Sequence, residues 1–305
     1  MPLPGRFGAV VTAMATPFGP DGSLDLDGAA RLARYLVEHS SEALVVAGTT
    51  GEGVTLSDGE KADLWRAVAE AVTVPVIAGA GTNDTHHSVE LTRLAAEAGA
   101  SGILAVTPYY NRPSQAGIDA HFRAVAEATD LPVMLYDIPV RTGRKSSTDT
   151  ILGLARTVSN VVAVKDAAGD VAASARLVAE APPGFELYSG EDGLTLPLLS
   201  IGAAGVVSVA SHWAGPVFGE MMRCFAEGDV QGARAANTRL LESYTFQTGE
   251  MAPNPVPLKA VLRVLGLPAG ECRPPMGPTP AGLEDQARAV LERLSTLQPS
   301  VGGRP

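Results

Sequence analysis

The stretch PVMLYDIPVRTGRKSSTDTILGLARTVSNVVAVKDAAGD (132–170) decides the fold of this chain. It contains two short apolar runs, PVMLY (132–136) and VVAVK (161–165), and a polar or glycine-containing segment follows each run directly. A strand buried on both faces is apolar along its whole length, whereas a half-buried strand alternates apolar and polar residues. The pattern therefore predicts two buried parallel strands with a longer connection between them.

Six further apolar runs repeat this pattern along the chain, and stretches with helical spacing lie between the runs. In 26–39, 89–98 and 117–128, for example, apolar residues recur every three or four positions. Eight strands alternating with helices predict an α/β fold, the (β/α)₈ TIM barrel. The other predicted strands are AVVTAM (9–14), ALVV (43–46), PVIAG (75–79), GILAV (102–106), FELYS (185–189) and GVVSV (205–209).

The alternative to a barrel is an open doubly wound sheet, which usually carries a glycine-rich phosphate turn after its first strand. The first strand here leads into ATPFGPDG (15–22), which lacks that fingerprint, so the barrel is favoured. After the last strand, helical stretches follow at 217–226, 230–247, 256–265 and 281–297. We therefore expect a catalytic barrel domain at 1–228 and a C-terminal helical appendage packed on it at 229–305, with a frayed end at 299–305.

Composition and charge narrow the class of protein. A chain of 305 residues with 46% hydrophobic residues is long enough for one barrel and its core. The net charge of −10 argues against a nucleic-acid partner. Two cysteines, Cys224 and Cys272, are too few for a disulfide framework. With no long apolar stretch and no signal-like start, we expect a cytoplasmic protein without a membrane partner.

Lys165 is the most informative single residue. Barrel enzymes place their active sites at the carboxyl ends of the strands, and Lys165 ends the apolar run VVAVK. A lysine at a strand end often only extends its amine to solvent. In a desolvated barrel mouth, however, burial lowers the pKa of the amine and yields a neutral nucleophile that attacks carbonyl groups.

Polar residues at the ends of neighbouring strands have both a structural and a functional interpretation. Tyr136 is either a core aromatic residue or a proton carrier beside the lysine. Thr49 and Thr50 either cap the next helix or bind a small carboxylate. Arg141 is either a surface residue or a bidentate clamp for a substrate carboxylate. Their shared position at one end of one barrel favours the functional interpretation.

Other motifs give no support for a cofactor or a metal. GTTGEG (48–53) and AGAGTND (78–84) are glycine-rich but lack the lysine of a nucleotide P-loop. His86 and His87 are adjacent, so they do not share one helix face, and no zinc-binding spacing is present. We therefore expect no cofactor and no metal.

Taken together, the segments resemble the dihydrodipicolinate synthase family, which belongs to the N-acetylneuraminate lyase-like, pyruvate-dependent class I aldolases. The resemblance covers about residues 7–280, and the early part is most similar to actinobacterial members. It implies a lyase that condenses pyruvate with L-aspartate 4-semialdehyde in lysine and diaminopimelate biosynthesis. The segments are, in order, GTTGE, TPYYNRP, LYDIPVRTG, VKDAAGD, YSGEDG and GVVSV.

The resemblance also implies a role for each matching residue. Lys165 would form the imine with pyruvate, and Tyr136 would relay protons through Thr50 to Tyr110. In the family this last tyrosine comes from a neighbouring subunit, which implies a homotetramer, a dimer of dimers. The substrate-binding residues would be Thr49 and Thr50 for the pyruvate carboxylate, Arg141 for the carboxylate of the aldehyde, and Gly190 and Val207 for backbone carbonyl groups near the lysine.

Two features favour the synthase within this group. Neuraminate lyases resemble GSTGE where this chain has GTTGE, and sugar-acid aldolases generally lack an arginine at the position of Arg141. The chain departs from the family at Asp137, where asparagine is frequent, and at Ala167, where a hydroxyl residue is frequent. The positions of the family's lysine-feedback site hold Asp58, Lys61 and His87 instead of two histidines and a glutamate. We therefore predict weak or absent inhibition by lysine.

Three other functions stay open from the sequence. A sister aldolase would act on a keto-deoxy sugar acid or a related 2-keto acid, because the lysine and the tyrosines do not determine the aldehyde. A non-catalytic barrel would bind pyruvate-like acids without turnover, although the set of Lys165, Tyr136, Thr50 and Tyr110 argues against it. A metal-dependent hydrolase on the same fold is the third.

Overall fold

Eight parallel strands close into one barrel in chain order, with the last strand hydrogen-bonded to the first. The computed structural model describes residues 5–249 and 252–296. The predicted barrel is confirmed, and no predicted strand bound moves by more than one residue. The strands are β1 (Val10–Ala13), β2 (Ala43–Val46), β3 (Val76–Gly79), β4 (Gly102–Val106), β5 (Val133–Asp137), β6 (Val161–Asp166), β7 (Glu186–Ser189) and β8 (Gly205–Ser208).

Helices connect the strands and cover the outside of the barrel. Most of them begin at a serine or an aspartate whose side chain accepts a hydrogen bond from the first turn, which satisfies backbone N–H groups that have no partner inside the helix. The helices are α1 (Leu26–Glu38), α2 (Asp58–Ala71), α3 (Thr85–Glu97), α4 (Gln115–Glu127), α5 (Pro139–Thr142), α6 (Thr148–Thr157), α7 (Val171–Glu180), α8 (Thr195–Ser200), α9 (Ser211–Ala226), α10 (Val230–Phe246), α11 (Val256–Val264) and α12 (Leu283–Thr296).

The hydrophobic core around and inside the barrel has two layers. The outer layer lies between the strands and the surrounding helices. The inner layer fills the barrel itself with side chains such as Val11, Ile77, Leu104 and Met134, so the barrel is a packed core and not a pore. Tyr136 belongs to this inner layer, at the end of β5 where the packed interior gives way to the loops.

The last three helices form the predicted C-terminal extension. Helix α10 packs on α9 and α12, and α11 packs on α12 and α9. Position 297 and the predicted frayed end at 299–305 lie outside the described residues. Among the helices of the described residues, none combines the length and the apolar character that crossing a membrane requires.

Candidate active site

Lys165 and Tyr136 lie side by side at the carboxyl ends of two neighbouring strands. They are direct partners in the register between β5 and β6. The Nζ atom of Lys165 lies 4.2 Å from the centroid of the Tyr136 ring. Only 5% of the surface of Lys165 is exposed, so its amine is not extended into solvent. The site therefore has an amine and a phenol in contact in a desolvated position.

The surroundings of Lys165 lower its basicity. Burial, the largest cause, lowers the pKa of its amine to about 8, and the positive charge of Arg141 acts in the same direction. The carboxylate of Asp192 opposes the shift. Asp192 is itself buried, and it accepts hydrogen bonds from the backbone N–H groups of Val209 (3.2 Å) and Ala210 (2.8 Å) just after β8. The neutral, nucleophilic form of Lys165 is therefore more populated near pH 7 than it would be for an exposed lysine.

Tyr136 is held in its protonated form. Burial raises the pKa of its hydroxyl to about 12, against the opposing effects of Arg141 and of a hydrogen bond with the Thr49 side chain. This hydrogen bond differs from the expectation, because the family resemblance implies Thr50 as the partner of Tyr136. Thr50 instead accepts a hydrogen bond from Asn254 Nδ2 at 3.1 Å. Thr49 and Thr50 follow each other in one loop, but their hydroxyl groups have different partners.

A cavity of about 290 Å³ opens beside Tyr136, which is near the lower end of the size range for small-molecule sites. Its walls include Thr49, Tyr136 and Arg141, three of the predicted site residues. Lys165 is not one of the residues that line the cavity, but its Nζ atom lies over the ring of Tyr136, which is. Arg141 is exposed on the short helix α5, where Nη2 lies 3.5 Å from the carbonyl oxygen of Asn254. A guanidinium in this position can bind a carboxylate that enters the cavity.

Gly190 and Val207 take different places around the lysine. A Cβ atom on Gly190 would lie 3.0 Å from Cγ of Lys165 and 2.9 Å from the Ala167 side chain, so only glycine fits there. The Gly190 N–H donates to the carbonyl oxygen of Asp166 at 2.7 Å. Val207 is buried in β8, in the same inner cluster as Tyr136. The absence of a side chain at Gly190 therefore leaves room for Lys165.

Tyr110 lies apart from the other predicted catalytic residues within this chain. Its side chain is 89% exposed, and its backbone has φ of 71°, a left-handed conformation that is uncommon for a residue with a side chain. The preceding residue, Tyr109, is half-buried and lines the cavity instead. One chain therefore presents Tyr110 outward, with its ring in solvent.

Comparison with known proteins identifies the group to which this site belongs. The model of the "Dihydrodipicolinate synthetase family" matches residues 6–294. The chain belongs to this family. It is 50% identical over 290 residues to the 4-hydroxy-tetrahydrodipicolinate synthase of Moorella thermoacetica, covering 94% of this chain and 98% of the relative. It is 52% identical over 277 residues to the synthase of Acidothermus cellulolyticus, covering 90% and 88%.

Solved structures of the dihydrodipicolinate synthetase family have the same fold. One is the enzyme from Cyanidioschyzon merolae with lysine bound, which has a TM-score of 0.92 and 44% identity and covers 95% of this chain and 99% of the relative. The predictions of the family, of the barrel and of a Schiff-base lyase with synthase function are confirmed by these relatives. The roles of the individual site residues stay predictions.

The three positions of the predicted feedback site lie together in the structure. Nε2 of His87 is 2.9 Å from the Asp58 carboxylate, and Nζ of Lys61 is 3.9 Å from it. Lys61 is buried and lines the same cavity as Tyr136. A lysine side chain at this point disfavours the binding of a second cation, which gives a physical reason for the prediction of weak lysine inhibition.

Sequence reasoning missed several residues of the site. Asp192 lies in the segment YSGEDG (188–193), which predicts no role for it, although its charge acts on Lys165. Asn254 and Lys259 come from the C-terminal extension, and each contacts the GTTGEG loop, through Thr50 and Glu52 respectively. The sequence does contain a pattern that could have predicted Lys259: this lysine lies inside the apolar segment VPLKAVL (256–262), as Lys165 lies at the end of the apolar run VVAVK.

Proposed function

We propose that the protein condenses pyruvate with L-aspartate 4-semialdehyde to form 4-hydroxy-tetrahydrodipicolinate, with Lys165 as the residue that forms the Schiff base. The observation that carries this proposal is the buried amine of Lys165, whose pKa is about 8, in contact with the protonated phenol of Tyr136. The proposal places the reaction in the cytoplasm, because two cysteines are too few for the disulfide framework of a secreted protein.

The first half of the reaction forms an imine. The neutral amine of Lys165 attacks the ketone carbon of pyruvate, and the ketone oxygen becomes the hydroxyl of a carbinolamine. Tyr136 donates its proton to this hydroxyl as water leaves, and the imine nitrogen is protonated. Thr49 hydrogen-bonds the Tyr136 hydroxyl and returns a proton to it. The hydroxyl of Thr50 accepts from Asn254, so its own proton is free for the pyruvate carboxylate.

The second half forms the carbon–carbon bond and closes the ring. The protonated imine withdraws electrons, so a methyl proton is lost and an enamine forms. The enamine carbon attacks the aldehyde carbon, and the aldehyde oxygen takes up a proton. Arg141 holds the carboxylate of the aldehyde during this attack. The amine of the bound product then attacks the imine carbon, which releases Lys165 as a free amine and closes the ring.

The division of the chain is part of this proposal. We infer a catalytic barrel at 1–228 and a helical extension at 229–305, of which the structure describes 229–249 and 252–296. The extension contributes to the site, because Asn254 both lines the cavity and binds Thr50.

Steady-state turnover tests the proposed function. Pyruvate and aspartate semialdehyde are supplied with the reductase that consumes the product, and keto-deoxy sugar acids and N-acetylneuraminate are assayed beside them. Efficient turnover with aspartate semialdehyde alone supports the proposal. A pyruvate adduct on Lys165 that borohydride traps, without turnover of aspartate semialdehyde, would mean that the imine chemistry is right and the aldehyde is wrong. The Lys165→Ala variant is the control for both the turnover assay and the borohydride trapping.

We also propose that the working enzyme is a homotetramer, a dimer of dimers, in which Tyr110 of one protomer completes the site of its neighbour. Its exposure of 89% supports this arrangement, because a ring that acts in its own chain would face its own cavity. Val54 and Val140 are also strongly exposed; Val54 follows the GTTGEG segment directly, and Val140 precedes Arg141 on α5. The oligomer would cover these apolar side chains only if they form one patch with Tyr110, because contiguous apolar patches mark protein interfaces.

Mixed oligomers test the role of Tyr110. Lys165→Ala and Tyr110→Phe are each expected to have little activity, and the two chains are expressed together. If Tyr110 acts across the interface, each mixed dimer has one complete site, so about a quarter of wild-type activity returns on random pairing. If Tyr110 acts in its own chain, no activity returns. Light scattering on the same samples gives the oligomeric state.

A further inference from the structure

A buried ion pair ties the C-terminal extension to the GTTGEG loop. Nζ of Lys259, on α11, lies 2.7 Å from Oε1 of Glu52, and the two side chains are 1% and 2% exposed. The same amine donates to the carbonyl oxygen of Glu271 at 3.0 Å and lies 4.2 Å from the ring centroid of Phe18. The other carboxylate oxygen of Glu52 accepts from the backbone N–H of Arg273 at 2.8 Å. Both charges are therefore matched inside the protein.

Glu52 stands in the loop that carries Thr49 and Thr50. Its backbone N–H donates to the carbonyl oxygen of Thr49 at 3.1 Å. Its φ of 53° is left-handed, and a residue with a side chain keeps such a conformation only when its surroundings hold it. The side chain of Glu52 holds this conformation in place by pairing with Lys259. The position of the loop therefore depends on a residue more than two hundred positions further along the chain.

The charge of Glu52 also matters to the cavity. Glu52 lines the cavity together with Thr49 and Arg141, the residues proposed to bind substrate carboxylates. Without a cation beside it, this carboxylate would leave the protein interior for water or repel an incoming anion. Either response moves the loop or weakens the binding of a carboxylate.

We propose that Lys259 is a positioning residue for the first substrate: through Glu52 it fixes the loop that presents Thr49 and Thr50 to the pyruvate carboxylate. This inference rests on the proposed function for the identity of pyruvate. The proposal predicts different effects on the binding of the two substrates, because pyruvate binds to the Thr49–Thr50 loop, whereas the aldehyde binds to Arg141 on α5.

The test uses the full-length Lys259→Met variant, which removes the charge and keeps a side chain of similar length. Borohydride trapping at increasing pyruvate concentration gives the concentration for half-maximal adduct on Lys165. We expect this concentration to rise by about tenfold or more, with the adduct still formed at saturation, because a small displacement of a binding group has large effects. The KM for aspartate semialdehyde should change much less. Equal changes for both substrates would overturn the proposal.

Arg263→Met is the matched control, because Arg263 is on the same helix and shares Glu271 with Lys259 but is not paired with Glu52. Its Nε lies 2.8 Å from Glu284, and Nη1 donates to the carbonyl oxygen of Gly270. This variant should loosen the extension without changing the half-saturating pyruvate concentration. A rise as large as that of Lys259→Met would mean that any loosening of the extension has this effect, which also overturns the proposal.

If Lys259→Met does not fold, the Glu52→Gln variant tests the same ion pair from its other side. The amide has the shape of the carboxylate but no charge, so the loop loses its ion pair and keeps its volume. A folded Glu52→Gln variant with unchanged half-saturation by pyruvate overturns the proposal, and a rise supports it. Failure of the proposed function is recognised separately, in the wild type: an adduct without turnover of aspartate semialdehyde overturns that function alone, and no adduct at all overturns both.

Discussion

The pH dependence of imine formation follows directly from the surroundings of Lys165. Burial lowers the pKa of its amine from 10.5 to about 8. At pH 7, an amine with a pKa of 8 is neutral in about one molecule in eleven, against about one in three thousand for a pKa of 10.5. Burial in the barrel mouth therefore raises the neutral fraction of the Lys165 amine at pH 7 roughly 300-fold. The rate should rise about tenfold from pH 6 to pH 7 and bend near pH 8.

Rapid quenching measures this rate. The chain is mixed with pyruvate between pH 6 and pH 10, borohydride stops the reaction at short times, and mass spectrometry of the intact chain counts the adduct. Lys165→Ala serves as the control and should give no adduct at any pH. A wild-type rate that goes on rising through pH 9 and bends only near 10.5 would refute the idea that burial activates the amine.

Two variants should move the bend in opposite directions. Asp192→Asn removes a negative charge that raises the pKa of Lys165, so the bend should shift below pH 8. Arg141→Ala removes a positive charge that lowers this pKa, so the bend should shift above pH 8. Shifts of the same sign in both variants would contradict an electrostatic origin.

Three further predictions concern other parts of the molecule. Arg141→Ala should still form the pyruvate adduct, but its kcat/KM for the aldehyde should fall by about 10- to 150-fold, which corresponds to the free energy of a hydrogen bond to a charged group. Borohydride trapping measures the first step and turnover measures the second. An equal loss of both steps would mean that Arg141 is structural. Millimolar lysine should inhibit turnover little, because Lys61 and the Asp58–His87 pair occupy the predicted feedback positions; strong inhibition in a lysine titration would contradict this. Arg273 holds the pKa of Glu60 at about 2, so this pair stabilises the fold above pH 4.5 and the contribution is lost as pH falls toward 2. Urea unfolding should therefore show a deficit for Arg273→Met that is larger at pH 7 than at pH 3, and an equal deficit at both values would count against the pair.

The strands were predictable because burial on both faces forces an apolar run, and a run has clear ends. ALVV (43–46) and GILAV (102–106) became β2 and β4 with the same bounds. Helix α2 was harder to recognise from the sequence, since Lys61 lies on its buried side and interrupts the apolar stripe. From the sequence alone, a buried lysine of this kind is indistinguishable from a lysine on the exposed side of a helix.

The site was predictable only in part, for two physical reasons. Lys165 and Tyr136 follow from their places at strand ends, because the barrel brings all such ends together. The choice between Thr49 and Thr50 depends on the conformation of one loop, where Glu52 is left-handed, and the letters GTTGEG do not specify it. Asn254 and Lys259 are far away in the chain and have no local motif, so only the three-dimensional structure connects them to the site.

The pairing of Glu52 with Lys259 has a consequence for the order in which the protein is made. A ribosome finishes the loop around Glu52 about 10 to 40 s before it adds Lys259, at 5–20 residues per second. During that time the loop lacks the cation that anchors it in the finished protein. A chain interrupted before position 259 has completed all eight strands but lacks the ion pair that, in our proposal, gives pyruvate its full affinity. We therefore expect a barrel that ends before the extension to need more pyruvate for half-saturation than the finished protein does.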